Sequence, residues 1–137
     1  MRKAMYKLGM LAFALVMTMT VATPVKAARV SWEFKREATG AYDDLVRSTT
    51  SKATSIWKIE LEETKYTNIS TQNVLECKVV DANGTRTSDV EQFKKYGTYK
   101  KAYNKTQKKG ASEKLKGKKA TTSTAGGKLV IWGFFTP

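Results

Sequence analysis

The 137-residue chain contains no histidine and a single cysteine. Without histidine there is no imidazole base, which excludes Ser-His and Cys-His catalytic pairs. The usual zinc sites are built from histidine or several cysteines, so they are excluded as well. The sequence also lacks a glycine-rich phosphate loop followed by Lys-Ser or Lys-Thr. We therefore expect a protein that is not an enzyme, with no catalytic residue, no cofactor and no metal site.

The lone cysteine, Cys77, also limits how the chain can be cross-linked. It cannot form a disulfide within one chain, so the fold is held by packing alone or by a Cys77–Cys77 bond between two chains. Because Cys77 falls between Leu75 and Val79 on the apolar side of a predicted strand, we interpret it as a small buried hydrophobe rather than a reactive thiol.

The N-terminus has the layout of a secretory signal peptide. Three basic residues and no acid precede an apolar run over residues 8–22, followed by the small side chains of Val25 and Ala27. The apolar run of about 15 residues is shorter than the roughly 20 that span a bilayer, which argues against an uncleaved anchor. The sequence predicts a signal-peptide helix over residues 1–27 and a secreted β domain over residues 28–137.

Basic residues are concentrated in the C-terminal part of the chain. Residues 28–93 contain 9 bases and 11 acids, whereas residues 94–137 contain 12 lysines and one acid, Glu113. A cluster of lysines without arginine favours diffuse attraction to polyanions over planar bidentate recognition. The alternative interpretation is a solvated face that only keeps the protein soluble.

The segment from residue 94 to residue 105 interleaves these lysines with three tyrosines. On a strand, Tyr99, Lys101 and Tyr103 share one face, and such an aromatic and basic stripe suits anionic glycans, teichoic acids or single-stranded nucleic acid. Alternatively the tyrosines cover the core while the lysine stems extend to solvent. The predicted site for an anionic partner comprises Lys94, Lys95, Tyr99, Lys100, Lys101, Tyr103, Lys105, Lys108 and Lys109.

Alternation of apolar and polar residues predicts a mainly β fold, a small antiparallel β-sandwich or barrel of about six to eight strands. The clearest strands cover residues 30–35, 55–63, 74–81 and 128–135, with two more starting near residues 97 and 112. The last of the clear strands is apolar on both faces, so it is a central strand or one covered by a partner.

Three connecting segments complete this prediction. Residues 36–51 are polar and predict a long loop with at most one helical turn. Asn83-Gly84 is the pair that best tolerates the positive φ angles of a type I′ hairpin. Ser88 or Asp89 is placed to cap a brief helical turn through Phe93.

The remaining candidates for chemistry are carboxylates. Glu60 and Glu62 lie about 7 Å apart by strand rise, which a glycosidase allows, but such spacing occurs on any wet strand face. Asp43-Asp44 could contribute oxygen ligands to calcium, although no EF-hand spacing is present. We favour surface charges for both pairs.

The three tryptophans have two interpretations, as core side chains or as platforms for sugar stacking. Trp32 and Trp57 lie on the apolar side of predicted strands, which favours the core. Trp132 lies on the strand that is apolar on both faces, so its direction stays open.

Three features occur together in this chain: the predicted signal peptide, a lysine-rich segment containing Tyr99, Tyr103, Asn104 and Lys105, and a final strand ending in Trp-Gly-Phe-Phe-Thr-Pro at residues 132–137. In this combination the sequence resembles small secreted β proteins of Gram-positive bacteria, many of which have no assigned function. Its size and β-rich pattern are similar to those of the lactococcin-972-like bacteriocins. The resemblance assigns no functional residue.

The sequence therefore favours a secreted, non-enzymatic, basic β-sandwich that associates with an anionic cell-wall polymer or membrane surface. A bacteriocin-like secreted toxin is the alternative, and it would use the same charge to approach neighbouring cells. Growth inhibition by the purified protein would distinguish the two. Because an exported protein does not normally meet nucleic acid, we expect no physiological nucleic-acid partner.

Cleavage after Ala27 can be tested directly. We expect mass spectrometry of culture supernatant to find a chain that starts at Ala28, because Val25 and Ala27 are the well-placed small residues after the apolar run. A full-length chain retained in the membrane fraction would contradict this prediction.

Overall fold

A computed structural model describes residues 29–37 and 39–137 of the chain. The predicted signal peptide, residues 1–27, lies outside these described residues. Within them the chain forms eight β-strands and no helix: β1 (Val30–Arg36), β2 (Asp43–Thr49), β3 (Thr54–Glu62), β4 (Leu75–Asp81), β5 (Glu91–Phe93), β6 (Gly97–Gln107), β7 (Ser112–Lys119) and β8 (Leu129–Thr136). No helix in this part of the chain is long and apolar enough to cross a membrane.

The strands form two four-stranded antiparallel sheets that pack against each other. Sheet A has the order β1-β8-β3-β6, and sheet B has the order β2-β7-β4-β5. The predicted β-sandwich is confirmed, and the barrel alternative is not, because the two sheets do not close on each other. β8 lies between β1 and β3, as its apolar character on both faces indicated for a central strand.

The core lies between the inner faces of the two sheets. In β3 the alternation of the sequence turns Trp57, Ile59 and Leu61 inward, and all three are buried. Trp57 is fully buried and packs against Phe135 of β8 with ring centroids 6.3 Å apart. Burying large apolar side chains from both sheets supplies the main stabilising free energy of such a sandwich.

A close contact between β1 and β8 depends on a glycine. Trp32 and Gly133 are direct register partners on the inner side of sheet A. A Cβ atom on Gly133 would lie 2.1 Å from the backbone carbonyl oxygen of Glu60 in β3 and 2.8 Å from Cζ2 of Trp32, closer than real side chains approach. The Glu60 backbone and the Trp32 indole together fill the space that a side chain at position 133 would need.

Cys77 is a free and fully buried thiol on the inner face of β4. Burial raises the pKa of this thiol well above its ordinary value. The interpretation of Cys77 as a small buried hydrophobe is confirmed, and a bond to a second chain would require the folded domain to open.

The prediction of a long loop over residues 36–51 was wrong, because β2 runs through this segment and pairs with β7. The register of this pair shifts between Asp44 and Val46, so Leu45 is an extra residue of a β-bulge. A bulge interrupts strict alternation. Leu45 and Val46 both pack against the core, and their adjacency concealed the strand in the sequence.

The type I′ turn predicted at Asn83-Gly84 was also wrong, although a hairpin is present. Gly84 has φ of 81°, but no non-glycine residue among those described has positive φ, and a type I′ turn needs two such residues. The N–H of Gly84 donates to the carbonyl of Asp81 at 3.0 Å. The Asp81 side chain accepts the N–H groups of Asn83 and Thr85, which fixes a turn followed by a left-handed glycine.

The brief helical turn predicted through Phe93 was wrong as well. Residues Glu91–Phe93 form β5, which pairs with β4 in the register Leu75↔Phe93. Phe93 is buried by this pairing, so tertiary packing outweighs the local capping signal at Ser88 and Asp89.

Substitution of the central core side chain tests this packing. We expect Trp57→Ala to lower the free energy of unfolding by about 3–5 kcal/mol, the range for large aromatic deletions. Glu62→Ala, at an exposed position of the same strand, should change it by less than about 0.5 kcal/mol. Equal losses in urea denaturation would contradict the orientation of β3.

Candidate functional site

In the structure, the lysines of the predicted site for an anionic partner lie in different parts of the domain. Lys94 and Lys95 are exposed in the connection between β5 and β6, whereas Lys108 and Lys109 are exposed in the turn between β6 and β7. These two pairs lie at opposite ends of β6, which by strand rise extends about 33 Å. Lys100 projects from the outer side of sheet A opposite Lys58.

Tyr99, Lys101 and Tyr103 share one side of β6 as predicted, but that side faces sheet B. Tyr103 is only 6% exposed, and burial raises the pKa of its hydroxyl. Tyr99 packs against Phe93 with ring centroids 4.9 Å apart. The Nζ of Lys101 lies 2.9 Å from a carboxylate oxygen of Glu91. These contacts match the alternative in which the tyrosines cover the core.

Lys105 is exposed near the end of β6 and completes the nine residues of the predicted site. The nine residues thus occupy an inter-strand connection, a hairpin turn, the outer side of sheet A and the inner side of β6. The structure does not bring them together on one surface.

A denser group of cations lies on the outer side of sheet B. Alternation along β7 buries Glu113, Leu115, Gly117 and Lys119 and turns the three lysines between them outward. Neighbouring strands add further cations, because Arg47 pairs with Lys114 and Lys78 pairs with Lys116 across the sheet. The basic face of sheet B comprises Arg47, Lys78, Arg86, Lys114, Lys116 and Lys118.

Two carboxylates on this face partly offset the six cations. Asp44 accepts Lys114 at 2.7 Å and Lys116 at 3.2 Å. The hydrogen bond from Lys114 holds the pKa of Asp44 below its ordinary value. Glu76 lies 3.4 Å from the Nζ of Lys118. The face therefore keeps a clear excess of positive charge at neutral pH.

Tyr42 anchors the centre of the basic face. The ammonium groups of Lys78 and Lys118 lie 4.1 Å and 4.9 Å from the centroid of its ring, which is cation–π geometry. Its hydroxyl donates a hydrogen bond to Glu76. Burial, reinforced by this bond, raises the pKa of Tyr42, so the phenol stays neutral and holds the two lysines in place.

The one acid of the lysine-rich C-terminal part does not neutralise this face, because Glu113 points into the sandwich. Its side chain is fully buried, and Oε2 accepts the hydroxyl of Thr87 at 2.8 Å. Among the described residues Oε1 has no hydrogen-bond partner. Glu113 is one of the residues that line a pocket of about 320 Å³ beside the Asp81 hairpin, and burial raises the pKa of this carboxyl.

Of the four acidic candidates of the sequence, Asp43, Asp44 and Glu60 form ion pairs, whereas Glu62 is exposed and makes no salt bridge within the described residues. Glu60 accepts Lys58 at 3.0 Å and also pairs with Arg29, while Asp43 accepts Arg36 at 2.8 Å. Over residues 29–37 and 39–137, no group of three or more Asp, Glu, His or Cys side chains could hold a metal ion. The positions favour the interpretation of these carboxylates as surface charges.

Sequence reasoning missed the basic face for a structural reason. The alternation of Lys114, Lys116 and Lys118 was a local signal that three lysines share one side of a strand. Arg47 and Lys78 are distant from these lysines in the sequence and join this side only through the strand order β2-β7-β4, and Arg86 joins it through a bridge to Val80 of β4.

Comparisons with protein-family models, curated proteins and solved structures found no match to this chain.

The buried carboxyl of Glu113 makes a testable contribution to pH-dependent stability. Because its folded pKa is raised above the ordinary value of 4.5, folding is favoured when the carboxyl is protonated and loses this contribution as pH rises above that value. We expect Glu113→Gln to be more stable than the parent at pH 7, by about 1 kcal/mol or more.

The difference between parent and variant should shrink as pH falls through 4.5, because the carboxyl of the unfolded parent then becomes protonated as well. Urea denaturation from pH 4 to pH 8 measures the two profiles, with exposed Glu63→Gln as the control. If the free energy of unfolding varied with pH in the same way for the parent and Glu113→Gln, the pKa of Glu113 would not be raised by folding, and the prediction would be wrong.

Proposed function

We propose that this protein is a secreted, non-enzymatic β-sandwich that binds an anionic cell-wall polymer or membrane surface through the basic face of sheet B. The observation that carries the proposal is the convergence of five cationic side chains from three adjacent strands, joined by Arg86 from the hairpin after β4, against two carboxylates. The predicted signal peptide supports export, and an exported basic domain meets anionic envelope polymers first.

The geometry of the face suits a repeating polyanion. Lysines two residues apart on β7 are separated by about 7 Å, and neighbouring strands lie about 4.8 Å apart, so the cations form a two-dimensional array on a rigid support. Such an array attracts a chain of charges without selecting one bidentate partner. This matches the lysine-rich character of the face.

Several of these cations are available to a partner. Arg47, Lys78 and Arg86 make no salt bridge within residues 29–37 and 39–137. Lys114 and Lys116 share the single carboxylate of Asp44, so their positive charge exceeds what that group neutralises. A polyanion can therefore add contacts without first breaking the existing ion pairs.

Two matched variants distinguish the contribution of this face to binding from that of the lysines in the site predicted from the sequence. The face variant carries Gln at Lys78, Lys114, Lys116 and Lys118, and the control carries Gln at Lys94, Lys95, Lys108 and Lys109. Each removes four charges. We expect the face variant to bind cell-wall preparations or anionic vesicles at least about tenfold more weakly, since each basic residue near an anionic surface contributes about 1 kcal/mol.

The control variant should lose less than about threefold, and binding of the parent should fall steeply with salt, because charges are screened beyond about 8 Å at physiological ionic strength. Circular dichroism and urea denaturation would establish that both variants are folded. Equal losses in the two variants would show that net charge alone drives binding, and salt-independent retention would exclude an electrostatic contact.

A further inference from the structure

The outer side of sheet A carries an aromatic groove that the basic face does not explain. Trp132 projects outward from the central strand β8 and is 37% exposed. It lies in register between Glu33 of β1 and Glu62 of β3. An open cavity of about 430 Å³ lies here, and we call it the Trp132 groove. Its lining includes Ser31, Glu33, Glu62, Trp132 and Phe134.

The next set of cross-strand neighbours on the same side of sheet A, which we call the Phe134 row, shows that an aromatic ring beside a carboxylate can hold a cation. Phe134 lies in register between Ser31 and Glu60. The guanidinium carbon of Arg29 lies 3.4 Å above the centroid of the Phe134 ring, and its Nε pairs with Glu60. In this row one organic cation satisfies an aromatic face and an adjacent carboxylate at the same time.

The Trp132 row repeats the arrangement with a larger ring and two carboxylates. Glu33 and Glu62 are both exposed, and neither makes a salt bridge within residues 29–37 and 39–137. Tyr66, which is 61% exposed, lies with its ring centroid 6.4 Å from that of Trp132, and the Nζ of Lys65 lies 4.8 Å from the centroid of the Tyr66 ring. Tryptophan is the aromatic side chain that attracts cations most strongly.

We propose that the Trp132 groove binds the alkylammonium group of a small non-protein ligand. The cation rests on the indole face, and the carboxylates of Glu33 and Glu62 provide the opposite charge from either side. Their strands lie about 10 Å apart across β8, with Trp132 in register between them. The cavity volume lies in the range of small-ligand sites, about 300–1,000 Å³.

The polar groups of the groove favour a cation over a neutral sugar. Two of its side chains are carboxylates, whose negative charge attracts a cation and gives no such attraction to an uncharged sugar. Such carboxylates stand out in a chain with 25 basic and 12 acidic residues. The groove lies on the opposite side of the sandwich from the basic face, so this inference does not rest on the proposed function.

Fluorescence offers a direct test, because Trp32 is 6% exposed and Trp57 fully buried, while Trp132 is accessible to solvent. We would titrate the purified protein with choline chloride against sodium chloride at equal ionic strength, with acrylamide as quencher. We expect choline to change the emission saturably and to protect Trp132 from quenching, with a dissociation constant below about 100 mM.

The isosteric double variant Glu33→Gln/Glu62→Gln keeps the fluorescent reporter and removes the charges. We expect it to bind choline at least about tenfold more weakly by calorimetry, whereas the control Glu37→Gln/Glu63→Gln, with the same change in charge, should stay within about twofold of the parent. Trp132→Ala should abolish the calorimetric signal.

Three results would overturn the inference. One is the absence of any saturable response to choline. Another is saturation by a neutral oligosaccharide that is unaffected by the Gln variants, which would identify a sugar platform. The third is concentration-dependent self-association that Trp132→Ala removes, which would identify a second copy of the chain as the occupant.

Discussion

The whole domain depends on apolar packing between its two sheets, because the chain has no pair of cysteines to link them. Trp57 and Phe135 contribute the largest fully buried side chains from sheet A, and Phe93 and Leu115 face them from sheet B. This interface removes a continuous apolar surface from water, which is the main driving force available to a small domain without cross-links.

The inner face of β7 carries an ionisable side chain at each end of this apolar interface, Lys119 at one end and Glu113 at the other. The two differ in how their polar atoms are hydrogen-bonded. At one end the Nζ of buried Lys119 donates to the carbonyl oxygens of Ala125 and Gly127, both at 2.8 Å, and so fastens the connection to β8. At the other end Glu113 keeps one oxygen without a partner among the described residues. The strand that supplies the outward lysines is thus held by inward polar contacts as well as by Leu115.

Local alternation predicted those strands in which it is strict, and it oriented Trp32, Phe34, Trp57 and Cys77 correctly. It failed at β2, because a bulge places Leu45 and Val46 side by side on the core. The lysines could not be assigned to surfaces from their spacing, because the strand order brings together residues about 30 positions or more apart along the chain, such as Lys78 and Lys116. Trp132 was undetermined for a related reason. A strand that is apolar on both faces needs its neighbours to define which side is inner.

The glycine opposite Trp32 sets the alignment of the final strand. If β8 slipped by one residue against β1, Trp132 or Phe134 would take the place of Gly133, and a side chain would have to enter the space that the Trp32 indole occupies. A one-residue slip would also exchange the two faces of the strand, turning Leu129 and Ile131 to solvent. Glycine at position 133 therefore favours the pairing that leaves the Trp132 indole on the outer side of sheet A, so a residue without a side chain helps to fix where the exposed aromatic surface lies.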